Sequence, residues 1–86
     1  MNANNLKRDQ IKAAMLDVLR GIAPEIEAGE IKDAQALRRQ VDLDSMDWLN
    51  FLIGLNQRLG LRIEEADYAR LATLDNLLDY ALARLG

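Results

Sequence analysis

A chain of 86 residues, half of them hydrophobic, is read as one domain, residues 1–86, with a thin core. The absence of cysteine and histidine excludes a disulfide framework, a Cys-based zinc site, a thiol nucleophile and the usual general base near neutral pH. The net charge of −3 is uneven, with +2 over residues 1–22, −1 over 23–41 and −4 over 42–86. The acidic C-terminal half argues against a nucleic-acid partner and suits a basic protein partner, although the same imbalance serves solubility. No apolar run approaches the roughly 20 residues of a membrane span. Residues 1–15 hold no apolar stretch of the secretory kind, so a cytoplasmic location is expected.

The first helix is expected over residues 5–20. Ile11, Ala14, Met15, Val18, Leu19 and Ile22 recur at three and four residues and make one apolar face. Asn4 or Asn5 could cap it, and Gly21 and Pro24 are stop signals. Residues 23–43 form a connection longer than most, so local structure is expected within it, with a turn of helix over 34–40 and Leu37 and Val41 as anchors. Glu25, Glu27 and Glu30 read as a solvated face.

Asp42-Leu43-Asp44-Ser45-Met46-Asp47-Trp48 marks the change from this irregular segment to a strong helical pattern. Asp44 and Ser45 are both good N-cap residues, and Ser45 taken alone suits an ordinary cap. A phosphate esterified to Ser45 would also sit favourably at a helix N-terminus. The three aspartates do not make a calcium loop. With Asp42 first, Asp47 stands where the turn needs glycine and Ile53 where a bidentate glutamate is needed, so no metal site is assigned.

The central helix is expected over Ser45–Leu59 and carries two apolar stripes. Trp48, Phe51, Leu52, Leu55 and Leu59 read as the core side. Met46, Leu49 and Ile53 lie on a second stripe that a small bundle could bury or that could face a partner. Gly60 is the natural left-handed end. Residues 64–71 read as a short helix, and Glu64, Glu65 and Asp67 as its acidic first turn rather than as catalytic carboxylates. Thr73 caps the last helix, whose stripe runs through Leu74, Leu77, Leu78, Ala81, Leu82 and Leu85. Arg84 suits its C-terminal dipole. The architecture is all-α, with three main helices, one short helix and a long first loop.

Asp44-Ser45-Met46-Asp47 resembles the Asp-Ser-Leu motif of acyl carrier proteins, in which the serine carries 4′-phosphopantetheine through a phosphodiester. The similarity continues without an apparent gap through Leu59-Gly60-Leu61-Arg62-Ile63, Glu64-Glu65-Ala66-Asp67 and Ala72-Thr73-Leu74 to Asp79-Tyr80, and Leu37 and Val41 match two upstream apolar positions. It covers about the last 50 residues; before them the match is only an amphipathic helix and a loop of suitable length.

The resemblance implies an acyl-carrier-like four-helix bundle that is not an enzyme. Ser45 would be the attachment residue, modified by a phosphopantetheinyl transferase using coenzyme A and magnesium. The arm's thiol would hold an acyl group as a thioester for acyl-loading and acyl-processing enzymes. Asp44, Met46 and Asp47 would present the serine, and Leu49 and Ile53 would add apolar contact. A freestanding monomer without nucleic-acid or membrane partners is expected, working in lipid or secondary metabolism. The family's pattern puts acids at the positions of Asn50, Asn56, Gln57 and Arg58, and glycine at that of Asp42; these departures suggest a specialised carrier outside housekeeping fatty-acid synthesis. A peptidyl or D-alanyl carrier shares the serine position. A small helical interaction module using Met46, Leu49 and Ile53 without modification is the alternative outside the family.

Overall fold

The computed structural model describes residues 3–85. Helix α1 spans Ala3–Ile22, longer at both ends than the periodicity suggests. It begins ahead of Asn4 and Asn5, so neither caps it, and the residues before it lie outside the described part. Ile11, Met15 and Leu19 are buried along the face that the spacing marks. After α1 the chain turns through Pro24 and a 3₁₀ turn at Ala28–Glu30. Glu25, Glu27 and Glu30 are exposed.

The long connection is held down at several points. Gln40 closes it as a second backbone would: its side chain accepts from Lys32 N–H at 2.7 Å and donates to the Lys32 and Gln35 carbonyls at 2.8 and 3.0 Å. Lys12 Nζ meets Asp33 at 2.9 Å, tying the loop to α1. The short helix α2, Leu37–Gln40, follows, with Leu37 and Val41 buried as anchors. The Leu37 N–H donates to the Ala72 carbonyl at 2.8 Å, and the Asp75 N–H to the Asp33 carbonyl at 3.0 Å. Ala36 and Thr73 form an isolated antiparallel bridge; the described residues contain no strand.

Helix α3, Ser45–Leu59, packs against α1, and α4, Leu74–Leu85, covers α1 on another side. Gly54 lets α3 approach α1: a Cβ there would stand 2.5 Å from Val18 Cγ1. Gly60 ends α3 in the left-handed conformation at φ 69°, and its N–H returns to the Asn56 carbonyl. The expected short helix is a 3₁₀ helix, Glu65–Arg70. A six-residue segment gains little from α-helical propagation, and its i→i+3 bonds satisfy the backbone in less length.

Asp67 locks this 3₁₀ helix onto α4. Its carboxylate accepts from the Tyr80 hydroxyl at 2.9 Å and pairs with Arg70 and, at 3.6 Å, with Arg84. The Arg84 guanidinium lies 4.2 Å over the Tyr80 ring, so it serves a side-chain network as well as the helix dipole. At the other end of α4, Thr73 Oγ1 accepts from Asn76 N–H and Asn76 Oδ1 from Thr73 N–H, a reciprocal cap. Leu37, Phe51, Leu55, Leu61, Leu77 and Ala81 form the centre of one apolar cluster, and no polar side chain among the described residues is buried.

Candidate functional site at the start of helix α3

The segment ahead of α3 is rooted by Val41 and Leu43, both buried, while Asp42, Asp44, Ser45 and Met46 between and after them are exposed. Asp44 has extended backbone, with φ −79° and ψ −178°, and its Oδ1 accepts the Asp47 N–H at 2.8 Å. Asp44 is therefore the N-cap, and the first helical carbonyl bond runs from Trp48 N–H to Asp44 O at 2.9 Å. Ser45 is the first residue inside the helix. It is not the cap, and its hydroxyl makes no hydrogen bond to the described residues.

The hydroxyl of Ser45 is thus an exposed primary alcohol without a structural task. Around it the backbone N–H groups of the first turn lack intrahelical acceptors and favour negative charge. A phosphodiester needs an alcohol that is accessible and free of competing bonds, and Ser45 meets both. Asp42, Asp44 and Asp47 oppose that field, which makes nearby cations important.

Beyond the serine, Met46, Leu49 and Ile53 are exposed by 69 %, 42 % and 46 %, the large hydrophobic side chains most open to water among the described residues. Phe51, Leu52 and Leu55 on the opposite stripe are buried. The two stripes therefore have different surroundings, one core and one water. Trp48 and Leu59, expected in the core, are only partly buried at its edge. Trp48 packs on Phe51, with ring centroids 5.5 Å apart.

The polar residues along α3 are partly occupied within the chain. Asn56 Nδ2 donates to the Leu61 carbonyl at 3.2 Å, and Arg58 pairs with Asp17 of α1 at 3.3 Å. The sequence reading missed Arg38. Its Nε donates to the Leu43 carbonyl at 3.3 Å, which holds the guanidinium close to the start of α3. A cation seven positions before the serine had no visible reason to be there until the loop folded back through α2.

Two clefts border α3. One of about 170 Å³ is lined by Leu52, Ile53, Asn56, Arg62, Ile63 and Tyr68. Another of about 200 Å³ lies between Arg38, Trp48, Tyr68 and Leu71. A third opening, larger and ringed by Glu25, Glu27, Glu30 and Asp42, lies in the first loop, away from the apolar stripe. No described helix is long and apolar enough to cross a membrane.

The sequence model described as "Phosphopantetheine attachment site" matches residues 9–81, most of the chain. A curated relative, the acyl carrier protein of Chlamydia muridarum, is 26 % identical over 76 residues, covering 88 % of this chain and 92 % of the relative. Carriers of this kind meet a phosphopantetheinyl transferase and acyl-processing enzymes. With the all-α architecture, these matches lead to one conclusion: the chain belongs to the acyl carrier protein family, carriers rather than enzymes, whose prosthetic group is a covalently attached 4′-phosphopantetheine.

Proposed function

We propose that Ser45 is the attachment residue and that the chain is a monomeric cytoplasmic carrier domain that presents a thioester-bound acyl group to enzymes of a specialised pathway. The observation that carries this reading is Ser45 itself: exposed, outside the cap interaction and on the first turn of α3, with Asp44 doing the capping. On the transferase, Ser45 Oγ would attack the phosphorus of coenzyme A that bears pantetheine. The Oγ–P bond forms, the pyrophosphate P–O bond breaks, 3′,5′-ADP leaves, and the hydroxyl proton passes to a base of the transferase. Once attached, the group supplies a terminal thiol that holds an acyl chain as a thioester.

The chain's own residues then position and present. Asp44 fixes the first turn, so Ser45 keeps one orientation relative to α3. Met46, Leu49 and Ile53 offer an apolar face that a partner can desolvate, with Asp47 beside it for a basic group. Asn50 and Gln57 are exposed and uncharged, while Arg58 is engaged with Asp17, so the distal half of this face lacks the acidic character common in the family. That supports partners other than standard fatty-acid synthase enzymes. Rapid elongation by those enzymes would overturn the specialised assignment. Peptidyl and D-alanyl cargo remain alternatives, separated by which activating enzyme charges the modified chain.

Intact mass before and after incubation with coenzyme A and a broad-specificity phosphopantetheinyl transferase tests the attachment. One phosphopantetheine should be gained by the parent and none by Ser45→Ala. Retained loading in the mutant would overturn the assignment. No gain by the parent beside an active control carrier would leave a transferase dedicated to this chain or an unmodified helical interaction module.

A further inference from the structure

Arg38 and Trp48 both line the cleft of about 200 Å³ that borders α3. Arg38 is exposed, is held by the Leu43 carbonyl at 3.3 Å, and has no carboxylate within ion-pair distance among the described residues. Ser45 and Trp48 are three residues apart on one helix, so they share a face. Helical side chains lean toward the N-terminus, which carries the indole back over the turn that begins at Ser45. Trp48 is only partly buried although it is the largest apolar side chain of α3. The cleft thus has a cation tied to the carbonyl two residues ahead of Ser45 and a half-open aromatic side chain three residues beyond it. Asp42, Asp44 and Asp47 surround the Ser45 hydroxyl with negative charge, so an anion placed there gains from a cation on the opposite side.

We propose that Arg38 and Trp48 form a seat for the part of the prosthetic arm nearest the protein. The guanidinium pairs with the phosphodiester, and the indole packs on the gem-dimethyl carbons just beyond it. This rests on Ser45 being the attachment residue. A guanidinium suits a phosphodiester because it can offer two N–H groups to two oxygens at once. The neighbouring Arg39, also exposed, is not among the residues that line this cleft, and it serves as the control.

The chain has one tryptophan, so its fluorescence reports this seat directly. Parent, Arg38→Gln and Arg39→Gln are each converted with coenzyme A and the transferase, and full conversion is established by mass. Acrylamide quenching of Trp48 is then compared between unmodified and modified forms. Attachment should lower quenching of the parent by about twofold, within the range an exposed charge pair can supply. Arg38→Gln should lose most of that protection, and Arg39→Gln should keep it. Salt on the order of 1 M should weaken the protection in the parent, since screening of the guanidinium–phosphodiester pair then acts within about 3 Å. Equal quenching of the two parent forms after full conversion, or equal loss in both arginine variants, overturns the seat while leaving the attachment intact. Failure to gain mass overturns the attachment and the seat together.

Discussion

At the scale of single residues, Asp44 and Ser45 divide two tasks that either could have held. Aspartate and serine are both strong caps, so composition at the helix start leaves the choice open. The backbone decides it: Asp44 is extended and its carboxylate reaches the Asp47 N–H, which puts Ser45 inside the first turn. Asp44→Ala should therefore cost about 1 kcal/mol in urea unfolding. Ser45→Ala should stay within about 0.5 kcal/mol of the parent, the range of a surface change that removes no contact. A larger loss in Ser45→Ala than in Asp44→Ala would show that the hydroxyl caps after all. The serine and its flanking acids were legible because the motif is local. Arg38 was not, because its place depends on a loop folded back through Leu37 and Val41.

At the scale of elements, the extent of α3 was readable, Ser45–Leu59. Its bounds, its two apolar stripes and Gly60 are set by near neighbours in the chain; which of its two cap candidates caps, and that the Met46, Leu49 and Ile53 stripe faces water, came only with the fold. Gly54 carried no such signal, since only the approach of Val18 on α1 gives it meaning. In an isolated helix alanine is better than glycine by about 1 kcal/mol. Here the added Cβ would meet a β-branched side chain with little rotamer freedom, and overpacking costs about 1–3 kcal/mol. Gly54→Ala should therefore lower the melting temperature despite its helix propensity, and Val18→Ala in the same chain should relieve part of the clash. A melting temperature at or above the parent's for Gly54→Ala alone would contradict the close contact. The 3₁₀ helix was visible as a short acidic-started element, but not its type. That type follows from its brevity and from the Asp67 anchor to α4, a contact made 13 residues along the chain.

At the scale of the molecule, the radius of gyration of 12.1 Å matches the roughly 12 Å expected for a compact chain of this length, with the long first loop drawn in. Acid should loosen it partly through Asp67. The Tyr80 hydroxyl, first, and the Arg70 guanidinium, second, hold its carboxyl below the ordinary aspartate range against partial desolvation, with the Arg70 and Arg84 charges adding. A folded-state value below the unfolded one gives stability that is complete at neutral pH. That stability is lost as pH falls from the ordinary aspartate range through the folded value. Asp67→Asn should be less stable than the parent at neutral pH, and the gap should narrow as pH falls below the ordinary aspartate range in thermal unfolding followed by circular dichroism. A gap that stays constant with pH would assign the loss to geometry alone. The bond from Leu37 N–H to the Ala72 carbonyl has a mechanical consequence as well. It closes residues 37–72 into a hoop that carries α3, with its two roots side by side. A tug on an arm carried at the start of α3 reaches the rest of the protein through the packing of α3 on α1 and through both roots.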